Sequence, residues 1–456
     1  MKDVLIFRFA HFIGKLIQGV MSLLGWEGSY FPGVIVSRLD PNYLAHVDKP
    51  KKLVIITGTN GKTTVSNMIS AFLDNANKTY INNGYGSNTR EGIISTFLSY
   101  GTWSGKIREE FGIIELDERS AIRVFPMLHP SYILVTNLFR DSYARNAHAY
   151  FIFDILNNSI PNGVKMLLNT EDPLSNQLSP QNEHIYYGFN LQDWEEEDRS
   201  SRINDLVNCP NCHHKLEPVF IRYNHIGRYY CKHCSYKSPE PKYSVINSNI
   251  SDKTALISNG EEEALFKLAT TNVVDVYNTL SAVAILQELG ITLQSLAQYS
   301  NTIEVPDTRF DYYKIKNKDL FIILAKRGNP IASSRSIDFI RRQKGKKAVV
   351  LLNSLRILHN KNVENTAWIY DNNFSYLDDP EIVQIICCGK RYLDFALCLR
   401  MAGVAEEKIS LCENYDDIAD TIQYDKVDLI GVLRSITPQK PTLKIIDSIR
   451  EKMEGE

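Results

Sequence analysis

Short apolar runs ending in polar residues recur through the first two thirds of the chain. KKLVIITGTNGKTTVSNMISAFLDNANKTYINN (51–83) has the pattern of a buried strand, a glycine-rich loop, a helix and a second strand. FGIIELDE (111–118), PSYILVTNLFRD (130–141) and VKMLLNTED (164–172) repeat the plan of a short apolar run followed by polar residues. Runs of this length predict a parallel sheet, and ligands of such sheets bind at the carboxyl ends of the strands. VVDVYNTLSAVAILQELG (273–290) predicts a helix ending at Gly290. The character shifts near residue 305. Beyond it, DLFIILAKRGNP, KAVVLLNS, EIVQIICCGKRYLDFALCLRMAG and VDLIGVLRS predict a second, smaller α/β domain. Residues 190–206 are acidic and polar and predict a solvated connection.

VLIFRFAHFIGKLIQGVMSLLGW (4–26) has a different pattern. Arg8, His11, Lys15, Gln18 and Ser22 fall at helical spacing and form one narrow polar stripe on an otherwise apolar helix. The basic and titratable groups argue against a spanning helix. The pattern fits a helix packed on its own protein or on a partner, or one lying in a membrane interface around residues 4–25.

Composition narrows the class. The chain has 456 residues, enough for two to four domains, and at 44% hydrophobic and 23% charged residues it can bury a sizeable core. A net charge of −2 gives no basic field for nucleic acid. The early apolar stretch lacks a small-residue cleavage pattern, so no signal peptide is expected. Four of the eight cysteines fall in two pairs, Cys209-Pro-Asn-Cys212 and Cys231-Lys-His-Cys234. That spacing predicts a tetrahedral Zn²⁺ held by four thiolates in a ribbon over 207–238. A closed shell leaves no open position for a substrate, so the site should be structural. Cys387, Cys388, Cys398 and Cys412 suit buried small hydrophobes.

The loop GTNGKTT carries the chemistry. Gly58 and Gly61 allow a backbone to approach phosphate closely, Lys62 can reach terminal phosphates, and Thr63 can offer a hydroxyl to Mg²⁺. A triphosphate needs a hard cation, and Glu115, with Asp117 and Glu118 beside it, offers carboxylates at a strand end. No Ser/His/Asp or Cys/His nucleophile constellation is apparent.

GTNGKTT resembles the signature of the Mur ligases and their folylpolyglutamate synthase relatives, which use ATP to activate a carboxylate as an acyl phosphate for attack by an amine. The resemblance implies ATP contacts from Gly58, Thr59, Asn60, Gly61, Lys62, Thr63 and Thr64. It implies Mg²⁺ on Thr63 and Glu115, Lys62 and Glu115 as catalytic groups, and Asn137 and Asp141 of TNLFRD facing the site. It also places Asn278 of VYNTLSAVAI on the nucleotide and Arg309 of DTRFDYY near the phosphates. Most Mur ligases lack a four-cysteine ribbon. The ribbon, FPGVIVSRLDPNYLAHV (31–47), TNLFRD and WIYD (368–371) together resemble the MurT-type subunits of lipid II isoglutaminyl synthase over nearly the whole chain.

That resemblance implies a GatD-like glutaminase partner supplying ammonia, and lipid II or a related muropeptide as acceptor; the cysteine usage suits a reducing cytoplasm, and residues 4–25 leave open a place at the inner face of the membrane. The implied domains are an entry segment 1–45, an ATP-binding domain 46–304 and a MurT-type domain 305–456. Asn365 stands where the family carries the Asp that completes the partner's Cys-His pair, and an amide cannot supply that charge. Asp371 is the nearest carboxylate, a weak substitute that also suits a structural strand end. SYARNAHAY (142–150) keeps Arg145 without the usual acidic residues, and GVLRSITPQK (431–440) replaces another family stretch. Two alternatives stay open: a ligase of the same fold acting on another carboxylate, and a catalytically degenerate ATP-binding subunit.

Overall fold

The computed structural model describes residues 2–26, 28–84, 87–141, 148–195, 197, 203–269, 272–303, 310–325, 328–352, 366–389, 391–434 and 440–455. The chain divides into two compact units. The first comprises the described residues of 1–139, 148–198 and 205–305, and the second those of 140–147, 199–204 and 306–456. The N-terminal segment is part of the first unit.

The first unit is built on strands β1 (Lys52–Thr57), β2 (Tyr80–Asn82), β3 (Phe111–Glu115), β4 (Tyr132–Val135), β5 (Lys165–Asn169) and β6 (His184–Phe189). A hairpin follows, β7 (Leu216–Tyr223) and β8 (Ile226–Cys231), and then β9 (Tyr243–Asn249), β10 (Thr254–Ser258) and β11 (Glu263–Lys267). Nine of these strands form one sheet in the order β11-β10-β9-β6-β5-β4-β1-β3-β2, with β7 and β8 paired on their own. All pairings from β2 to β9 across this sheet are parallel, and the β9-β10-β11 edge is antiparallel. The near-continuous apolar runs arise because the central strands are covered on both faces; Val54, Ile55, Ile56, Ile113, Ile114, Ile133 and Leu134 are fully buried. From β1 the chain moves outward to β2, returns through β3 beside β1, then crosses to β4 on the other side. The carboxyl ends of β1, β3 and β4 therefore meet at a topological switch point.

The second unit carries β12 (Phe310–Ile315), β13 (Lys318–Leu324), β14 (Lys347–Leu352), β15 (Ile382–Cys388), β16 (Ile409–Cys412) and β17 (Leu429–Arg434) in the order β12-β13-β17-β14-β15-β16, parallel except for β12. Cys387, Cys388, Cys398 and Cys412 are buried in its core.

The N-terminal helix, Lys2–Leu23, packs on helix Arg90–Tyr100 with His11, Lys15 and Gln18 of its polar stripe inward. His11 Nε2 lies 2.8 Å from the Thr102 carbonyl and Nδ1 2.8 Å from the Tyr43 hydroxyl. The carbonyl can only accept, so a neutral ring carries its proton on Nε2 and accepts from Tyr43. Burial, with help from Lys15, pushes His11 below the ordinary histidine pKa against the Thr102 bond. Lys15 donates to Leu98 O at 2.9 Å, and Gln18 to Ser95 O at 2.9 Å and Ser99 Oγ at 2.8 Å. Arg8 and Ser22, the other members of the stripe, are exposed. The helix is long and apolar enough to cross a membrane by length and composition. Its inward hydrogen bonds oppose that, because they commit one side to protein. On the outward side Phe9, Phe12, Leu16 and Val20 are 44–59% exposed.

The 190–206 segment is more buried than its composition predicts. The Glu195 side chain is 4% exposed because Arg222 of the hairpin reaches it at 2.5 Å, and Gln192, Ile203 and Leu206 are buried.

Candidate functional site

The loop after β1 takes a shape only glycine allows at two points. Gly58 has φ of +122° and Gly61 +89°. A Cβ on Gly58 would collide with Thr136 Oγ1 and come within 2.8 Å of the Asn137 carbonyl oxygen. One on Gly61 would sit 2.6 Å from Asn278 Oδ1. Asn137 and Asn278, expected on the nucleotide, both lie against the loop.

Asn137 braces that loop. Its Oδ1 accepts from Asn60 N at 3.0 Å, and its Nδ2 donates to Asn60 O at 3.1 Å. Thr136 Oγ1 donates to the same carbonyl at 2.7 Å. Thr59 N donates to Asn137 O at 2.8 Å, and the Thr59 hydroxyl donates to Phe139 O at 3.0 Å while accepting from Phe139 N at 2.9 Å. The amides of Thr59 and Asn60 are thus spent on the segment after β4. The anion-facing amides are those that follow Gly61 in the first turn of helix Lys62–Asn75, which lack intrahelical partners. Thr64 lies in that turn.

Lys62 Nζ bonds the Gly58 carbonyl and pairs with Glu118 Oε1 at 2.8 Å. The two side chains are 11% and 5% exposed. Burial disfavours the ammonium, but Glu118, Glu115 and Asp117 together outweigh it and hold Lys62 above the ordinary lysine pKa. Thr63 Oγ1 donates to Glu115 Oε2 at 2.9 Å, and Asn88 donates to Glu115 Oε1 at 3.0 Å. Asn83 clasps the Glu115 backbone, accepting from its N and donating to its O, both at 2.8 Å. Asp117 Oδ1 caps the short turn Glu118–Ser120 by accepting from Arg119 N.

Sequence reasoning missed Glu118 as the partner of Lys62, and missed Asn83, Asn88 and Thr136. The only signal was polar residues at the ends of β2 and β4, which spacing alone does not pair.

The hard oxygen pair Thr63–Glu115 suits Mg²⁺, and the loop has the shape for a polyphosphate. Asp141 accepts from Asn329 at 3.2 Å within the second unit, where Asp371 also pairs with Arg140 at 3.1 Å. Asp371 ends a one-turn helix, Ala367–Tyr370, and not a strand. Arg145, Arg309 and Asn365 lie outside the described residues.

The four sulfurs of Cys209, Cys212, Cys231 and Cys234 lie within 4.8 Å of one another. Cys209–Cys234 is 3.6 Å and Cys212–Cys231 is 3.5 Å. Zn–S bonds near 2.3 Å put tetrahedral sulfurs roughly 3.8 Å apart, so the quartet fits one soft cation. Amides point at the sulfurs, His233 N to Cys231 at 3.4 Å and Tyr236 N to Cys234 at 3.5 Å. His214 and His233 stack on each other with centroids 4.1 Å apart, and neither imidazole belongs to the quartet. The hairpin is tied to the sheet by Arg222, 3% exposed, which meets Glu171 at 2.6 Å and Tyr277 at 2.5 Å.

A model of the Mur ligase middle domain matches residues 56–232, and a model of the MurT ligase C-terminal domain matches residues 324–437. The MurT subunit of the glutamine-hydrolysing lipid II isoglutaminyl synthase of Staphylococcus aureus (strain COL) is 32% identical over 416 residues, 90% of this chain and 92% of its own. The chain belongs to the MurT family. The MurT subunit of Streptococcus pneumoniae is 28% identical, with 90% of each chain covered. Among solved structures, a pseudomurein peptide ligase type C from Methanothermus fervidus aligns with a TM-score of 0.66 at 19% identity, covering 90% of this chain and 81% of its own. MurF ligase from Thermotoga maritima in complex with ADP aligns at 0.59 and 12% identity, covering 93% and 84%. These two show the Mur ligase fold. MurT membership makes the chain a ligase-type subunit of peptidoglycan synthesis, and the fold implies ATP and Mg²⁺.

Proposed function

We propose that this chain is the ATP-dependent ligase subunit that amidates the α-carboxylate of D-glutamate in the lipid II stem peptide, using ammonia from a GatD-like glutamine amidotransferase. The observation that carries it is the meeting of Lys62 and the Thr63–Glu115 pair at the switch point of a MurT-family chain. The substrate carboxylate attacks the γ-phosphorus of ATP, ADP leaves, and ammonia then displaces phosphate from the acyl carbon.

The first-turn amides after Gly61 and the Lys62 ammonium receive the phosphoryl charge. Thr63 and Glu115 would hold Mg²⁺, which when bound supplies charge to the phosphoryl oxygens. Asn137 and Thr136 keep the loop open by consuming its other polar groups, and Asn278 backs Gly61. Cys209, Cys212, Cys231 and Cys234 hold a structural Zn²⁺. The outward apolar face of residues 4–25 rests on the inner surface of the membrane that carries the acceptor.

The test is amidation of lipid II with ATP and Mg²⁺, followed by mass spectrometry. Ammonium alone should support the exchange of carboxylate for amide, and glutamine should do so only with the partner present. No ATP-dependent amidation with ammonium would overturn the proposal.

Asn365 gives a separate expectation. In a complex with a GatD-like partner, Asn365→Asp should raise glutamine hydrolysis and leave ammonium-dependent ligation unchanged. Equal hydrolysis rates, with a fall on Asp371→Ala, would transfer the role to Asp371.

A further inference from the structure

A cavity of about 680 Å³ lies inside the first unit, away from the phosphate loop itself. One wall is the carboxyl-terminal half of the N-terminal helix, with Lys15, Gln18 and Ser22, and the opposite wall is helix Arg90–Tyr100. Its floor is Asn82 and Asn83 at the end of β2. Asn83 is also the residue that clasps the backbone of Glu115, so the floor of the cavity adjoins the acidic end of β3. Two tryptophans complete the lining, Trp26 and Trp103, each 63% exposed.

The lining has a definite chemistry. Among the described residues that line it there is one cation, Lys15, and no carboxylate; the rest are amides, hydroxyls, glycines and aromatic rings. Gln18 spends its two N–H groups on Ser95 and Ser99, and its carboxamide oxygen makes no hydrogen bond within the described residues. Burial lowers the pKa of Lys15 from its ordinary value. Flat aromatic faces with short hydrogen-bonding side chains suit the apolar ring face and polar rim of a sugar. The volume falls within the roughly 300–1,000 Å³ of ligand sites. Both tryptophans leave most of their surface free, and among the described residues Trp103 makes one ring contact, to Phe12 at 5.9 Å.

We propose that this cavity is the acceptor subsite for the amino-sugar part of the substrate, with Trp26 and Trp103 as stacking faces and Gln18 as a hydrogen-bond acceptor. The sugar held here directs its attached peptide over Asn83 toward Glu115 and the phosphate loop. This deepens the proposed function and rests on it for the identity of the peptide.

Binding separates the two. A soluble N-acetylglucosaminyl-N-acetylmuramyl pentapeptide without lipid is titrated calorimetrically into the full chain, beside the free pentapeptide. The wild type should bind the glycan-bearing probe at least about tenfold more tightly than the free peptide. Trp26→Ala/Trp103→Ala should lose that advantage, and its affinity for the free peptide should be unchanged. Both side chains are exposed, so the double variant should unfold at the wild-type temperature; Trp103→Ala alone provides a milder version if it does not. Equal affinity of wild type and variant for the glycan probe, or no glycan advantage in the wild type, would overturn the subsite. Binding with the expected pattern but without ATP-dependent amidation would leave the subsite standing and reject the ligase reaction. The absence of lipid from the probe excludes membrane adsorption by the tryptophans as the source of the signal.

Discussion

Lys62→Ala should abolish ATP turnover, by at least about a hundredfold, the loss typical of removing one preorganised donor to transition-state charge. Lys62 is the cation in the loop, and the structure brings its Nζ to the Gly58 carbonyl and Glu118 at the mouth of the first helical turn. The substitution has a second consequence. Glu118 is 5% exposed and would lose its partner, and breaking a buried pair by removing one member costs about 3–5 kcal/mol. A simple loss of activity would therefore mix catalysis with stability. Lys62→Met/Glu118→Gln removes both charges and should recover most of the stability without recovering turnover. ATPase rates and unfolding curves on the three proteins decide the matter. Turnover retained in either folded variant would remove Lys62 from the phosphate site. Recovered turnover in the double variant would mean that the unpaired Glu118, and not the missing ammonium, caused the loss.

Loss of the four-thiolate site should lower stability strongly and chemistry little. Elemental analysis should find one zinc per chain, and Cys231→Ser should find none. A metal bound at about a thousand times its Kd is worth about 4 kcal/mol, which for a unit of this size corresponds to a Tm lower by roughly 10 °C. The loss is transmitted through the hairpin, because Arg222 carries its ion pairs to Glu171 and Glu195 from β7. His214→Ala should leave both zinc content and Tm unchanged, since four sulfurs already close the shell. A metal-free wild type prepared without chelators, or a Cys231→Ser variant of unaltered Tm, would refute the assignment.

The loop and the cysteine quartet were legible in the sequence because their chemistry is local. Two glycines, a lysine and a threonine occupy adjacent positions of one strand-to-helix turn, and each cysteine pair closes a knuckle within four residues. Apolar runs of four to six residues likewise indicated a parallel sheet, because strands covered on both faces need no alternation. The resemblance to Mur ligases added the pairing of Thr63 with Glu115, residues that are 52 positions apart and 2.9 Å from each other.

Other features depended on the assembled fold. The resemblance places Asn137 on the nucleotide, yet its amide is spent on both backbone groups of Asn60. A side chain's type gives its hydrogen-bonding capacity, and only its neighbours decide where that capacity goes. Glu195 lies in a segment whose composition favours solvent, but the guanidinium of Arg222, 27 residues further on, draws it inside. The N-terminal helix makes the same point at larger scale. Its sequence carries a polar stripe and an apolar face, and helical periodicity is blind to which of the two meets protein. Carbonyls of helix Arg90–Tyr100 and the Tyr43 hydroxyl were available to His11, Lys15 and Gln18, so the middle of the polar stripe turned inward and Phe9, Phe12, Leu16 and Val20 were left outside.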